Sequence, residues 1–115
     1  MNAQPELPVL PAAELPGADA AARRGSSVEI ASQADFDEVL RWLAELSALQ
    51  IRFLHFTDGR GFSWAQQLRR RYGYRGPLRA VGQLLPDQRQ MLEACGFDLP
   101  GEDRQLPRFT VGYRH

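Results

Sequence analysis

The stretch Ile51-Arg52-Phe53-Leu54-His55-Phe56-Thr57-Asp58-Gly59-Arg60-Gly61-Phe62-Ser63 decides how the rest of the chain is read. Its first six residues are nearly continuous apolar and aromatic, the pattern of a strand covered on both faces. Thr57 to Gly61 break that pattern at once with two glycines. Ser63, with Gln66 three residues on, forms a capping box, and Trp64, Ala65, Leu68 and Tyr72 recur at helical spacing until Gly73 stops the helix. A buried strand, a glycine-bearing turn and an amphipathic helix therefore follow one another as a single strand-helix unit.

The same rhythm extends in both directions. Upstream, Val28 and Ile30 read as a short strand. Ser32 with Asp35 then forms a capping box, and Phe36, Val39, Leu40, Leu43 and Leu46 form a helical stripe. Downstream, Leu78–Gly82 reads as a strand. A helix entered near Pro86 and closed at Gly96 follows, with Leu84 or Leu85, Gln88, Met91, Leu92 and Cys95 on its inner face. Pro100 to Pro107 reads as a polar loop, and Phe109–Tyr113 as a short C-terminal strand. Three consecutive strand-helix units imply an α/β fold whose mostly parallel sheet is joined by right-handed crossovers. An open sheet and a half-barrel both satisfy that pattern. A half-barrel needs a covering partner, and so implies a homodimer.

Residues 1–25 read as a Pro/Ala-rich arm, because Pro5, Pro8, Pro11 and Pro16 interrupt both helix and strand patterns. The spacing of the first three suits a polyproline II segment, and a tethered or frayed terminus is the plain alternative. Residues 26–115 then form one α/β domain, the size expected for a chain of 115 residues. A chain of this length buries roughly two-thirds of its unfolded surface, enough for an independent core.

Composition excludes several classes of function. The single cysteine, Cys95, leaves no disulfide framework and no CxxC site, and two distant histidines, His55 and His115, make no metal cage. Cys95 falls on the apolar face of its helix and reads as a buried small hydrophobe. The first 22 residues hold no Lys or Arg and no compact hydrophobic run, so no signal peptide is expected. Nor does any stretch reach the roughly 20 apolar residues of a membrane span. The expected location is the reducing cytoplasm. No nicotinamide, flavin, haem or iron-sulfur fingerprint is present, and no cofactor is expected.

Fourteen arginines balance fourteen acids, but not evenly along the chain. Residues 1–50 carry three arginines against eight acids, and residues 51–115 eleven against six. Arg60, Arg69, Arg70, Arg71, Arg75 and Arg79 follow one another without an intervening acid, among Phe62, Trp64, Tyr72 and Tyr74. Such a segment suits a nucleotide, a single strand or an acidic protein surface. Three successive arginines on a helix fan over about 200°, and net neutrality argues against nucleic acid. A solvated face paired with the acidic first helix is the simpler reading.

In parallel α/β folds ligands lie beyond the carboxyl ends of the strands. The turn Asp58-Gly59-Arg60-Gly61-Phe62-Ser63 meets that condition, with permissive glycines, first-turn amides and the donors Arg60 and Ser63 facing a small anionic ligand. Gly82-Gln83, after the third strand, lies nearby if the two strands are neighbours. Asp58 could instead pair with an arginine or act as an acid or base. His55, near the end of its strand, reads either as a hydrogen-bonded core residue or as a catalytic base. The plain alternative is structural: glycines for a tight turn and Ser63 as a cap.

The ordered series Phe56 to Ser63, Gln67-Leu68-Arg69, Tyr72-Gly73-Tyr74-Arg75-Gly76, Leu78-Arg79-Ala80-Val81-Gly82, Asp87-Gln88 and Cys95-Gly96-Phe97-Asp98 resembles the bacterial domain-of-unknown-function family numbered 934. The likeness covers about residues 50–98 well, and Phe109–Tyr113 is similar to that family's closing strand. Its members are commonly encoded beside sulfite reductase and phosphoadenylylsulfate reductase, and some carry an oxidoreductase label. The resemblance thus implies a role in assimilatory sulfate reduction, with one of those reductases as partner. It carries over Asp58, Arg60, Ser63, Arg79 and Asp87 as candidate site residues. Three departures stand out: Gln83 where the family usually has Asp, Ala94 where it usually has Arg, and a shortened acidic segment between Asp98 and Phe109.

Three functions follow as expectations. The first is an accessory or regulatory protein of sulfate or sulfite reduction that binds an oxyanion or phosphate-bearing ligand at turn 58–63. The second is a small enzyme using Asp58 with His55 or Arg60. The third is a protein-interaction module built on the arginine and aromatic segment 60–79.

Overall fold

The computed structural model describes residues 7–55 and 59–98, and within them the chain is an α/β protein with a four-stranded, wholly parallel, open sheet. Asp58, the strand expected over Phe109–Tyr113, the loop before it and His115 lie outside the described residues. Strand order follows chain order: β1 (Val9–Pro11), β2 (Ser27–Ile30), β3 (Ala48–Phe53) and β4 (Leu78–Gly82). Between them run α1 (Ala20–Arg24), α2 (Gln33–Trp42) and α3 (Arg60–Gln66), and α4 (Arg89–Cys95) follows β4. Sequential order with crossovers of one hand puts the helices on one face of the sheet.

That face carries the core. Val28 and Ile30 of β2, Leu49, Ile51 and Phe53 of β3, and Leu78 and Ala80 of β4 alternate along their strands and stand side by side in register. They meet Phe36 and Val39 of α2, Trp64, Ala65 and Leu68 of the α3 region, and Leu92 and Cys95 of α4, all buried. Such burial contributes about 1.5–3 kcal/mol per large side chain. Alternation turns Ser27, Glu29, Ala48, Gln50, Arg52, Arg79 and Val81 to the opposite face.

The expected arm belongs to the sheet from β1 onward. Val9, Leu10 and Pro11 pair with Ser27, Val28 and Glu29, and the Ser27 amide donates to the Pro8 carbonyl at 2.8 Å. Proline fits this strand because β1 is an edge among the described residues, where a missing N–H breaks no ladder bond. A 3-10 turn over Ala12–Gly17 then buries Ala12 and Leu15, and Asp19 caps α1 by accepting from the Ala22 amide at 2.8 Å. Arg23 locks the segment down. Its guanidinium donates to the carbonyls of Leu15 and Ala18, pairs with Glu45 at 2.9 Å and lies 4.2 Å from the centre of the Trp42 ring.

The helix signals divide in an instructive way. Ser32 caps α2 by accepting from the Asp35 amide at 3.1 Å, while the Asp35 carboxylate takes the Ala31 amide at 2.8 Å. Ser63 does not cap α3. That helix begins at Arg60 behind Gly59, so Ser63 sits inside its first turns and its hydroxyl accepts from Gln67 at 3.2 Å. Past Gln66 the helix widens into a π turn over Gln67–Arg71, and Tyr72 emerges 40% exposed instead of continuing the buried stripe. Met91, also expected inside, is 52% exposed, because Leu92 and Cys95 alone supply the buried row of the short α4.

Candidate functional site

β3 ends three residues earlier than the apolar run suggests, and this moves His55 out of the sheet. The strand spans Ala48–Phe53, and Leu54 and His55 are exposed beyond its carboxyl end. His55 is therefore not a core histidine. Gly59 and Arg60, at the entrance to α3, are likewise exposed.

Gly61 serves packing. A Cβ there would lie 2.5 Å from Cε2 and Cζ of Phe53, so its hydrogen lets the first turn of α3 rest on the Phe53 ring. Phe62 closes on the same ring at 5.0 Å between centroids. Trp64 stacks on Phe36 at 6.0 Å, and its indole N–H donates to Gln33 at 3.2 Å, which joins the start of α3 to the start of α2. Arg60 extends over the solvent side of Trp64, its guanidinium carbon 5.7 Å from the ring centre.

The turn after β4 comes directly alongside. Gly82 adopts φ 102°, and a Cβ there would fall 2.4 Å from the Phe53 carbonyl oxygen. Only glycine allows this approach, which brings the Gln83 amide to 2.8 Å from the same oxygen as donor. The expected adjacency of the two turns holds: Gly59, Arg60, Ser63 and Gln83 share the carboxyl end of the sheet with His55. Asp87, exposed in the 3-10 turn Pro86–Gln88, lies on the connection leaving the same end. Arg79 is not among them. It pairs in register with Gln50 and projects from the opposite face of the sheet.

That opposite face holds a polar chain which periodicity did not reveal. The Ser27 hydroxyl donates to Gln50 Oε1 at 3.0 Å, and Gln50 Nε2 donates to Glu29 Oε1 at 2.7 Å. Arg52 completes it with Nε to Glu29 Oε2 at 2.7 Å and Nη2 to Oε1 at 3.2 Å. Gln50, only 4% exposed, has both ends of its amide satisfied. Burial acts to raise the Glu29 pKa, but the hydrogen bonds from Arg52 and Gln50 and the Arg52 charge outweigh it and hold the carboxyl below its ordinary value. The same Glu29 hydrogen bond raises the Arg52 pKa against a smaller opposing effect of burial. The signal lay in the alternation Ala48-Leu49-Gln50-Ile51-Arg52-Phe53, once the strand is started at residue 48.

Arg69 likewise departs from its expected role on a solvated face paired with the first helix. Its Nε donates to the Gly96 carbonyl at 2.9 Å, and its Nη1 to the carbonyls of Tyr74 at 2.9 Å and Gly76 at 2.8 Å. Asp98 lies 3.5 Å from Nη2 and also takes the Leu78 amide at 2.9 Å. Arg70 and Arg71 remain exposed. Among the described residues no three His, Cys, Asp or Glu side chains gather as a metal-binding group, and no helix is long and apolar enough to cross a membrane.

No curated protein and no solved structure matches the chain. The α3 entrance, the Ala80-Val81-Gly82 strand end that abuts it and the Cys95-Gly96-Phe97 cap held by Arg69 all fall within residues 27–112. That span matches the model of the bacterial protein of unknown function DUF934, and the chain belongs to this family.

Proposed function

We propose that the chain is a cytoplasmic accessory or regulatory protein of assimilatory sulfate or sulfite reduction. It holds an oxyanion or phosphate-bearing ligand at the strand-helix turn 58–63 while docking on a sulfite reductase or phosphoadenylylsulfate reductase. One observation carries the ligand site: the Gln83 amide bonded to the Phe53 carbonyl at 2.8 Å. This bond holds the start of the turn after β4 against the end of β3, the same end of the sheet at which Arg60 and Ser63 lie in the first turns of α3. Support for the sulfur pathway comes from the resemblance of residues 50–98 to a family encoded beside those reductases.

Calorimetric titration with sulfite, sulfate and adenosine 3',5'-bisphosphate tests the site. Saturable heat from at least one of them, lost in Arg60→Ala, is the expected result. Null traces for all three would remove the ligand from the proposal.

A second reading, a small enzyme using Asp58 with His55 or Arg60, draws on the exposure of His55 at the same end of the sheet. Its test is turnover in Asp58→Asn, which must fall sharply if Asp58 transfers a proton.

A further inference from the structure

An open hollow of about 560 Å³ lies at the other end of the sheet, where α2 leads into β3 and the π turn leads into β4. Leu40, Leu43 and Leu46 form its apolar side, and the Tyr72 ring, 40% exposed, forms a wall. Arg41 and Arg75 stand on its rim, and no carboxylate is among the residues lining it. Arg41 is 72% exposed and only 3.7 Å from Glu38, and Arg75 is exposed with no hydrogen bond or ion pair among the described residues. Arg71 adds a third cation beside Tyr72, its guanidinium carbon 5.7 Å from the ring centre.

The wall is built in advance. Arg69 holds the carbonyls of Tyr74 and Gly76, and the Tyr74 hydroxyl donates to the Pro77 carbonyl at 2.7 Å, so the loop 72–76 is braced from beneath. A preformed wall lowers the ordering cost of whatever binds against it. The hollow is open to solvent, whereas small-molecule pockets normally bury about 70–90% of their ligand. A polypeptide can fill the hollow with a side chain and cover its rim with its backbone. Glu38 offsets part of the Arg41 charge from outside the lining, but Arg75 and Arg71 leave the rim with an excess of cations, which favours an acidic partner.

We propose that this hollow is a docking site for an acidic polypeptide segment. One large apolar side chain seats against Leu40, Leu43 and Tyr72, and flanking carboxylates pair with Arg41 and Arg75. The surface lies at the opposite end of the sheet from turn 58–63, so a partner held here leaves the proposed ligand site open. The two proposals also fail independently.

Fluorescence anisotropy of the full chain tests this with a labelled peptide in which a central Phe is flanked by Glu on both sides. The expected result is saturable binding, weakened about tenfold or more by Arg41→Glu with Arg75→Glu, and similarly by Tyr72→Ser or by Phe→Ser in the peptide. Arg24→Glu with Arg79→Glu, an equal charge change at two exposed positions outside the hollow, leaves it intact. Absence of binding overturns the proposal, as does binding indifferent to both Tyr72→Ser and the peptide's Phe, which marks bulk charge attraction. Self-association abolished by the Arg41 and Arg75 reversals would assign the hollow to a second copy instead.

Discussion

The guanidinium of Arg69 donates through Nε to the carbonyl of Gly96 at 2.9 Å, across 27 residues of sequence. Gly96 ends α4 with φ 106°, and a Cβ there would fall 2.5 Å from Arg69 Cγ. The arginine stem thus lies directly over the glycine. One side chain ties the end of the α3 helix to the end of α4 and, through Nη1, to the loop that enters β4.

Arg69→Ala removes three hydrogen bonds to carbonyls that are then left without that donor, and it lowers unfolding stability by about 2–3 kcal/mol. Arg70→Ala, one residue on and exposed, changes it by less than about 0.5 kcal/mol. Urea denaturation of the two variants beside the parent checks the contrast. Equal effects would mean that the carbonyl bonds carry no weight.

Glu29→Gln costs about 1 kcal/mol at neutral pH, because the Arg52 pair is partly exposed and partly screened by solvent. The sign with pH follows from the lowered Glu29 pKa. The contribution is fully present above the ordinary value of 4.5 and disappears as pH falls through the depressed folded value. Denaturant curves measured from neutral pH downward therefore show parent and variant converging on the acid side of 4.5.

Burial, with a further push from the Asp98 charge and against that of Arg69, raises the Tyr74 hydroxyl pKa from 10.0 to about 12. Its stabilising effect is complete below 10.0 and is lost as pH rises toward about 12. Tyr74→Phe gives up the bond to Pro77, at a cost of about 1 kcal/mol near neutral pH, and removes this part of the alkaline unfolding. Thermal melts across the alkaline range distinguish the two chains.

Gly61→Ala forces a methyl group against the Phe53 ring and destabilises by about 1–3 kcal/mol. Gly59→Ala meets no described residue within 4 Å of its Cβ and has a negative φ, and stays within about 0.5 kcal/mol. Thermal melts of the pair test whether the glycine at 61 serves packing while the one at 59 is free to vary.

If the turn holds an oxyanion, Gln83→Asp places a negative charge beside it and weakens sulfate binding by about fivefold or more. Calorimetry on that variant and on Gln83→Asn, which keeps the site neutral, separates charge from shape.

The strand-helix alternation and the parallel sheet were legible because apolar spacing and the Ser32 cap act locally. Three features were not legible, each for a physical reason. The run Ile51 to Phe56 hides the end of β3, since Leu54 is apolar yet 48% exposed, while Gln50 is polar yet buried by partners on another strand. Ser63 stands three residues before a glutamine and has the pattern of a cap, but packing of Gly61 on Phe53 starts the helix earlier. Pro8 and Pro11 disguise a strand, at the edge among the described residues, whose acceptors matter and whose missing donors do not. At the candidate site the neighbouring turns could be inferred from strand order. The long reach of Arg23 and Arg69 could not, because backbone carbonyls leave no mark in a sequence.

The order β1-β2-β3-β4 also bears on how the molecule is made. β2, β3 and β4 each pair with the described strand synthesised just before them, so none of the described strands must wait for a later one to be inserted between existing neighbours. The sheet can grow by accretion from its amino end as the chain leaves the ribosome, each new strand finding its template already in place.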